Sequence, residues 1–179
     1  VYKRQHIGRA RHLATNEEVR NRRSAILSIP SQLNSVANAY SAAQKLVDLA
    51  SAESEAISEA LDEKEHEALS TALGKGGGKA LKELEKEQKS RATRITRDTL
   101  DGALLDLATF YRDVLLVQAG HDDSLINAEL SEQIDKLATV TASNKTLAKI
   151  DAIMKARENL QRNGAPLLVM EALMCELIK

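Results

Sequence analysis

The chain has 179 residues, of which 43% are apolar and 2% are aromatic, and its formal net charge is −1. A chain of this length can bury enough apolar surface for a stable core, and its single cysteine excludes an internal disulfide. The longest apolar stretch, 100–119, carries four charged residues, and no secretory signal is evident, so we expect a cytoplasmic protein without a membrane span.

The first elements predicted along the chain are two short helices before Pro30. Residues 7–14 show a helical pattern. The sequence TNEE at 15–18 is typical of a capping box, in which Thr15 accepts a hydrogen bond from the amide of Glu18 and Glu18 reaches back to Thr15. The helix that follows should end near Pro30, because the residue before a proline avoids helical geometry.

The two longest helical segments come next, at 31–73 and 79–119. In 31–73 apolar residues recur at steps of three and four with a break near Ser51, which predicts two helices or one long bent helix. In 79–119 the first half is polar and the second half is apolar on most sides. We therefore expect the first half to project into solvent and the second half to lie in the core.

The last third of the chain continues the helical pattern. Its predicted elements are a turn at 120–127 and helices at 128–139, 144–163 and 166–178. Gly164 is a stop signal, and Pro166 suits the first position of the last helix. Because helix-forming residues dominate and no segment alternates as a strand does, we predict an all-α helical bundle, with 100–117 and 166–178 in its core.

The glycine-rich stretch LGKGGGKAL at 73–81 raises the question of a phosphate-binding loop. Such a loop needs a glycine where this chain has Leu73 and a hydroxyl where it has Ala80, and it follows a strand. We therefore interpret its three consecutive glycines, 76–78, as a flexible joint between helices. His66 lacks a second histidine one turn later, where Ser70 stands, and no spacing suggests a catalytic triad. We predict no catalytic residue, no metal and no cofactor.

The stretch 75–97 is strongly basic and is the main candidate for contact with DNA or with a partner protein. Its candidate contact residues are Lys82, Lys86, Lys89, Arg91, Arg94 and Arg97. The three lysines share one helical face, which could contact phosphates. Interleaved glutamates weaken the positive field, and no aromatic residue between Tyr40 and Phe110 can stack on bases. A DNA-binding helical module that uses 75–97 is therefore the alternative function.

Three stretches carry a resemblance to a known family. They are IGRARHLATNEEVRNRRSAILSIP (7–30), RATRITRDTLDGALLDLATFYRDVLL (91–116) and ARENLQRNGAPLLVMEALMCEL (156–177). In their order and spacing the chain resembles the C-terminal half of the delta-prime subunit of bacterial DNA polymerase III, a part of its clamp loader. The resemblance extends over nearly the whole chain. It is most specific in FYRDVLL and in the arginine, asparagine and leucine pattern before the last helix.

The resemblance implies a division into the C-terminal part of an AAA+ lid domain (1–33) and a helical collar domain (34–179). It also implies a non-catalytic assembly subunit that helps to load the sliding clamp onto primed DNA during replication. The partners would be gamma/tau and delta-type subunits in a hetero-pentameric ring, with DNA reached indirectly and no small-molecule substrate. An ATPase-like domain would precede the chain, which begins with Val1 rather than Met.

The same resemblance bears on nucleotide sensing by the lid. Related ATPase subunits carry a sensing arginine in a pattern like G-S-x-R-x-A. The matching run here is QHIGRA, with Gly8 at that position and Arg9 one residue later. One residue turns a helix by about 100°, so Arg9 would point elsewhere. The resemblance therefore implies that this subunit does not sense its own nucleotide. We further expect the ring interface on helices that flank the core and on the exposed part of 79–98.

Overall fold

The computed structural model describes residues 14–73 and 78–178, apart from the side chains of Ala60 and Leu73, and these residues form helices without strands. The α-helices are α1 Glu17–Leu27, α2 Ile29–Gln32, α3 Val36–Leu73, α4 Gly78–Gln118, α5 Ser131–Val140, α6 Ser143–Gln161 and α7 Pro166–Ile178. Two short 3₁₀ turns, Asp122–Ser124 and Ala128–Leu130, lie between α4 and α5. The predicted all-α fold class is confirmed.

The start of α1 differs from the predicted capping box. The capping residue is Asn16, whose Oδ1 accepts hydrogen bonds from the amides of Glu18 at 2.9 Å and Val19 at 3.3 Å. Thr15 already has helical backbone geometry. The prediction that Thr15 caps this helix is therefore wrong. Asparagine caps helices at least as well as threonine, and here it stands one residue closer to the first turn.

The boundary after α1 lies near Pro30, as the sequence predicted. α1 ends at Leu27, and Pro30 lies in the first turn of α2, where its missing amide hydrogen costs nothing. α3 then begins after Ser35, whose Oγ accepts a hydrogen bond from the amide of Asn38 at 3.2 Å. Apart from Ala14, the short helix predicted at 7–14 lies outside the described residues.

Helices α3 and α4 pair as a long antiparallel hairpin. α3 is one continuous helix of 38 residues, so the alternative of two helices at 31–73 is wrong. The Ser54 hydroxyl donates to the carbonyl of Ala92 at 2.9 Å, and eight residues later the carbonyl of Asp62 accepts from Gln88 at 3.1 Å. The residue numbers run in opposite directions along the two helices. Of the three glycines predicted as a flexible joint, Gly78 is the first residue of α4, and 76 and 77 lie outside the described residues.

The hairpin has an outer part without a core and an inner part that belongs to the core. From 59 to 99 none of the described side chains is buried. From Leu100 onward α4 buries a side chain nearly every turn. The prediction that the first half of 79–119 projects and the second half is central is confirmed, with the addition that the projecting half is paired with α3.

The second half of α4 is the centre of the bundle. It packs against α1, the first half of α3, α5 and α6, while α7 covers α3 and α6. Fully buried side chains on α4 and α7 include Leu104, Leu107, Val114, Met170 and Met174. Burying side chains of this size contributes about 1.5–3 kcal/mol each before entropy is counted. The prediction that 100–117 and 166–178 form the core is confirmed.

The turn between α6 and α7 is a Schellman motif. Asn163 has the left-handed backbone angle φ 64°, and its amide donates to the carbonyl of Leu160 at 3.1 Å. The amide of Gly164 donates to the carbonyl of Asn159 at 2.8 Å. Both bonds satisfy carbonyl groups that the helix end would otherwise leave open. Gly164 therefore ends the helix as predicted, although the left-handed residue is Asn163.

A buried polar cluster fixes the loop after α4 to the bundle and to α1. The Asp113 carboxylate is fully buried and accepts hydrogen bonds from the backbone and side-chain amides of Asn127, both at 2.8 Å, and from Arg112 at 2.7 Å. Arg23 of α1 also bonds the side chain of Asn127 and pairs with Glu129 at 2.9 Å. The cluster connects three elements that are distant in sequence.

Candidate nucleic-acid and partner interface

The inner side of the outer hairpin is a polar seam. Arg91 makes two hydrogen bonds to Glu65 of α3, at 3.0 and 2.5 Å, and Gln88 reaches the Asp62 carbonyl and the Glu65 carboxylate. The hydrogen bond from Arg91 holds the pKa of Glu65 below its usual value, and the bond to Glu65 raises the pKa of Arg91. Arg91 therefore faces α3, not the outer side of α4.

The outer side of α4 carries the three lysines of the sequence prediction. Lys82, Lys86 and Lys89 are all exposed and are spaced by four and three residues, which keeps them on one face. Lys86 has an ion pair with Glu83 at 3.8 Å, with both side chains more than two-thirds exposed. Such a pair contributes little. The structure thus brings these lysines together on the side away from the seam.

Arg94 and Arg97 lie closer to the bundle, in a groove of about 500 Å³ between α4 and the end of α6. Arg94 is exposed and Arg97 is half-buried. The other wall of the groove consists of Leu160, Gln161 and Asn163. Sequence reasoning missed this wall. The turn signal at Gly164 was visible, but nothing in the sequence indicated that this turn lies beside residues 90–98.

Other candidate positions contribute less to a site. Gly8 and Arg9 lie outside the described residues. Within 14–73 and 78–178 no group of three or more His, Cys, Asp or Glu side chains is placed to hold a metal ion. In the same residues, no helix has the length and apolar character needed to cross a bilayer.

Exposed apolar side chains are the candidates for contact with a partner protein. On the described surface the large ones are Val36, Tyr40, Leu49, Ile57, Leu61, Ile126, Val140, Leu147 and Leu168. None of them belongs to α4. On α3, Val36 and Tyr40 stand one helical turn apart, 59% and 49% exposed, so they form a pair on one face where the helix joins the bundle.

Comparison with known proteins gives one family. The family model described as DNA polymerase III, delta subunit, C terminal, matches residues 67–177, which is more than half of the chain. The match spans the end of α3 and nearly all of α4 to α7. Two of the three stretches that carry the sequence resemblance, 91–116 and 156–177, fall inside it, and 7–30 lies outside. No curated protein and no solved structure matches the chain significantly.

Proposed function

The chain belongs to the family of C-terminal domains of DNA polymerase III delta subunits, and from this premise we propose that it is a non-catalytic assembly subunit of the clamp loader. In this role it helps to load the sliding clamp onto primed DNA by holding its subunit in the loader ring. The family match over the helices of the bundle carries the proposal. We propose the delta-prime position in particular, which rests on the sequence resemblance described above.

The architecture supports a scaffolding role. The central half of α4 is buried by helices on several sides, and its core residues are large aliphatic groups packed without solvent access. Interiors of this kind are dense and resist deformation. A rigid bundle with exposed apolar side chains at its edge suits a permanent interface, since such interfaces are large and have apolar centres.

We propose that the lid part ends at 33 and that the collar begins at 34. The change from α2 to α3 falls at this point, because α2 ends at Gln32 and α3 begins at Val36. Ile26 and Leu27 of α1 pack into the same core as the bundle. Together with the bonds from Arg23 to the loop after α4, this packing would make the end of the lid move with the collar.

Reconstitution with purified loader subunits tests both levels of the proposal. The chain is mixed at micromolar concentration with gamma/tau subunits and either delta or delta-prime, and complexes are measured by analytical ultracentrifugation. A delta-prime chain should complete the complex that lacks delta-prime, whereas a delta-type chain should complete the one that lacks delta. Association with none of these subunits would contradict the assembly role itself.

Substitution of the exposed pair on α3 tests where neighbours bind. Val36→Asp combined with Tyr40→Asp should weaken association by about tenfold or more, because charge at an apolar interface centre must be desolvated. The matched control is Ile57→Asp with Leu61→Asp, a pair of similar exposure on the same helix but away from the bundle. Equal effects of the two double variants would argue against an interface at Val36 and Tyr40.

A further inference from the structure

Two arginines, Arg94 and Arg97, line the groove between α4 and the end of α6. The Nε of Arg97 is buried and has no hydrogen-bond partner among the described residues. An arginine has five N–H donors, and a buried donor without an acceptor is unfavourable by about 1–3 kcal/mol. Arg94 lies about one helical turn before Arg97 on α4, lines the same groove and is exposed. Both arginines line the groove, and its volume is large enough for a polar ligand.

Neighbouring acids do not neutralise this groove. Asp101 lines it, but both carboxylate oxygens of Asp101 are bonded by Arg157, at 2.7 and 2.8 Å. This bidentate pair balances the negative charge of Asp101 with the positive charge of Arg157. Asp98 is the other acid in the groove and is exposed. With Asp101 matched by Arg157, the two arginines outweigh Asp98, and the groove has a positive balance suited to an anion.

The groove continues into the lysine face of α4. From Lys82 to Arg97 the helix advances by about 22 Å at 1.5 Å per residue, and Lys86 and Lys89 lie between them on the same side. Glu83, Glu85 and Glu87 are interleaved with the lysines and weaken the positive field, but a line of cations of this length still matches a chain of repeated negative charges better than a single carboxylate. No large exposed apolar side chain of the described surface lies on α4, so this face lacks the apolar centre that a protein interface has.

We propose that the groove and the lysine face form a binding track for the phosphodiester backbone of nucleic acid. Arg97 and Arg94 hold one phosphate in the groove, and Lys82, Lys86 and Lys89 hold successive phosphates along the helix. Gln161 and Asn163 line the groove wall, and side-chain amides of this kind can donate to phosphate or sugar oxygens. Contacts of this type position a strand without reading its sequence.

Fluorescence anisotropy of the 179-residue chain with labelled duplex and single-stranded DNA tests the proposal. Arg94→Gln with Arg97→Gln removes two cations from the groove, and Lys64→Gln with Lys155→Gln removes two exposed cations elsewhere. Loss of two phosphate contacts should weaken duplex binding by about 60-fold at 0.1 M salt and reduce the logarithmic salt slope by about 1.8. The control should change affinity by less than about threefold, because distant charges are screened.

Two further measurements keep the test decisive. Arg97→Lys keeps the charge but loses Nε and the planar fork, so binding should weaken by about 3- to 10-fold if Arg97 grips a phosphate. Circular dichroism and urea unfolding check that each variant is folded. The proposal is overturned if both double variants bind DNA equally, if the unmodified chain does not bind at low salt, or if the arginine variants lose association with loader subunits instead. Assembly of the ring is measured separately, so failure here leaves the proposed function standing.

Discussion

Replacement of Gly164 by alanine is the sharpest test of the turn that connects α6 to α7 and forms one wall of the groove. A Cβ added at this glycine would lie 2.8 Å from the carbonyl oxygen of Asn159 and 2.9 Å from Cγ2 of Val169. Both separations are too short for carbon, and the first neighbour is backbone that already accepts the Gly164 amide. The helix end or the start of α7 must therefore shift.

The expected loss follows from the size of this collision. Overpacking of a well-packed site destabilises by about 1–3 kcal/mol. For a chain of this length that corresponds to a fall in Tm of about 2–12 °C, at about 2–4 °C per kcal/mol. Urea unfolding followed by circular dichroism measures the free energy directly, and thermal unfolding checks the sign.

Gly102→Ala provides the matched control, because it is the same chemical change inside α4. A Cβ at Gly102 meets no atom within 4 Å, and alanine favours the helix over glycine by about 1 kcal/mol. The two variants should therefore have opposite signs. If Gly164→Ala were as stable as the unmodified chain, or more stable, the close contact at Asn159 would not be a feature of the folded protein.

Three other changes test the polar contacts. Asp113→Asn should destabilise by about 1–3 kcal/mol, because one amide oxygen cannot accept from both Asn127 and Arg112; Asp98→Asn on the surface is its control, and similar urea midpoints would contradict the role of the cluster. A double-mutant cycle of Asp101→Asn and Arg157→Gln should give a coupling free energy of about 1–2 kcal/mol in the free energy of unfolding, whereas additive losses of stability would show that the two side chains act independently. Burial lowers the pKa of Lys149 from 10.5, so between that lowered value and 10.5 the unfolded chain binds more protons and stability rises with pH. Lys149→Met should reduce the rise in the free energy of unfolding between about pH 8 and about pH 9.5, measured by urea titration at each pH. The same rise in both proteins would refute the prediction.

Much of the fold was predictable because helix boundaries here depend on local chemistry. Pro30 and Pro166 act through their own backbones, and Gly164 allows close approach to residues within five positions of it, so these effects depend on the local sequence. The interior of α4 was also predictable, since apolar residues on most sides leave burial as the favourable arrangement. The cap at Asn16 was missed because two capping residues are adjacent, and local sequence does not decide between them.

The continuity of α3 shows where periodicity misleads. The apolar pattern weakens near Ser51 because Ser54 and Ser58 occupy the seam with α4, although both are buried. Their hydroxyls bond the carbonyls of Ala92 and Ser54, at 2.9 and 2.8 Å. Small polar residues that satisfy themselves on the backbone can fill a close helix contact. If only large apolar residues are counted, the periodicity therefore indicates a break near Ser51, although the helix is continuous.

The candidate site needed the tertiary structure. From the sequence, the acidic block at 48–68 and the basic block at 75–97 could each have been a solvated face or a docking surface. The antiparallel hairpin decides their relation, because it brings Glu65 to Arg91. The groove at Arg97 depends on α6, about 60 residues later in the chain, and no local rule connects segments at that separation.

The seam of the outer hairpin explains why the lysines opposite it remain available. Between 59 and 99 none of the described side chains is fully buried, and hydrogen bonds from Arg91 and Gln88 to α3 fix which sides of the two helices face each other. Asp62 and Glu65 are engaged at this seam by Gln88 and Arg91, and they are held on the α3 side of the hairpin. These acids therefore cannot neutralise the outer face of α4. Pairing Arg91 inward leaves the outer cations opposed mainly by acids of α4 itself, such as Glu83, and its exposed pair with Lys86 contributes little.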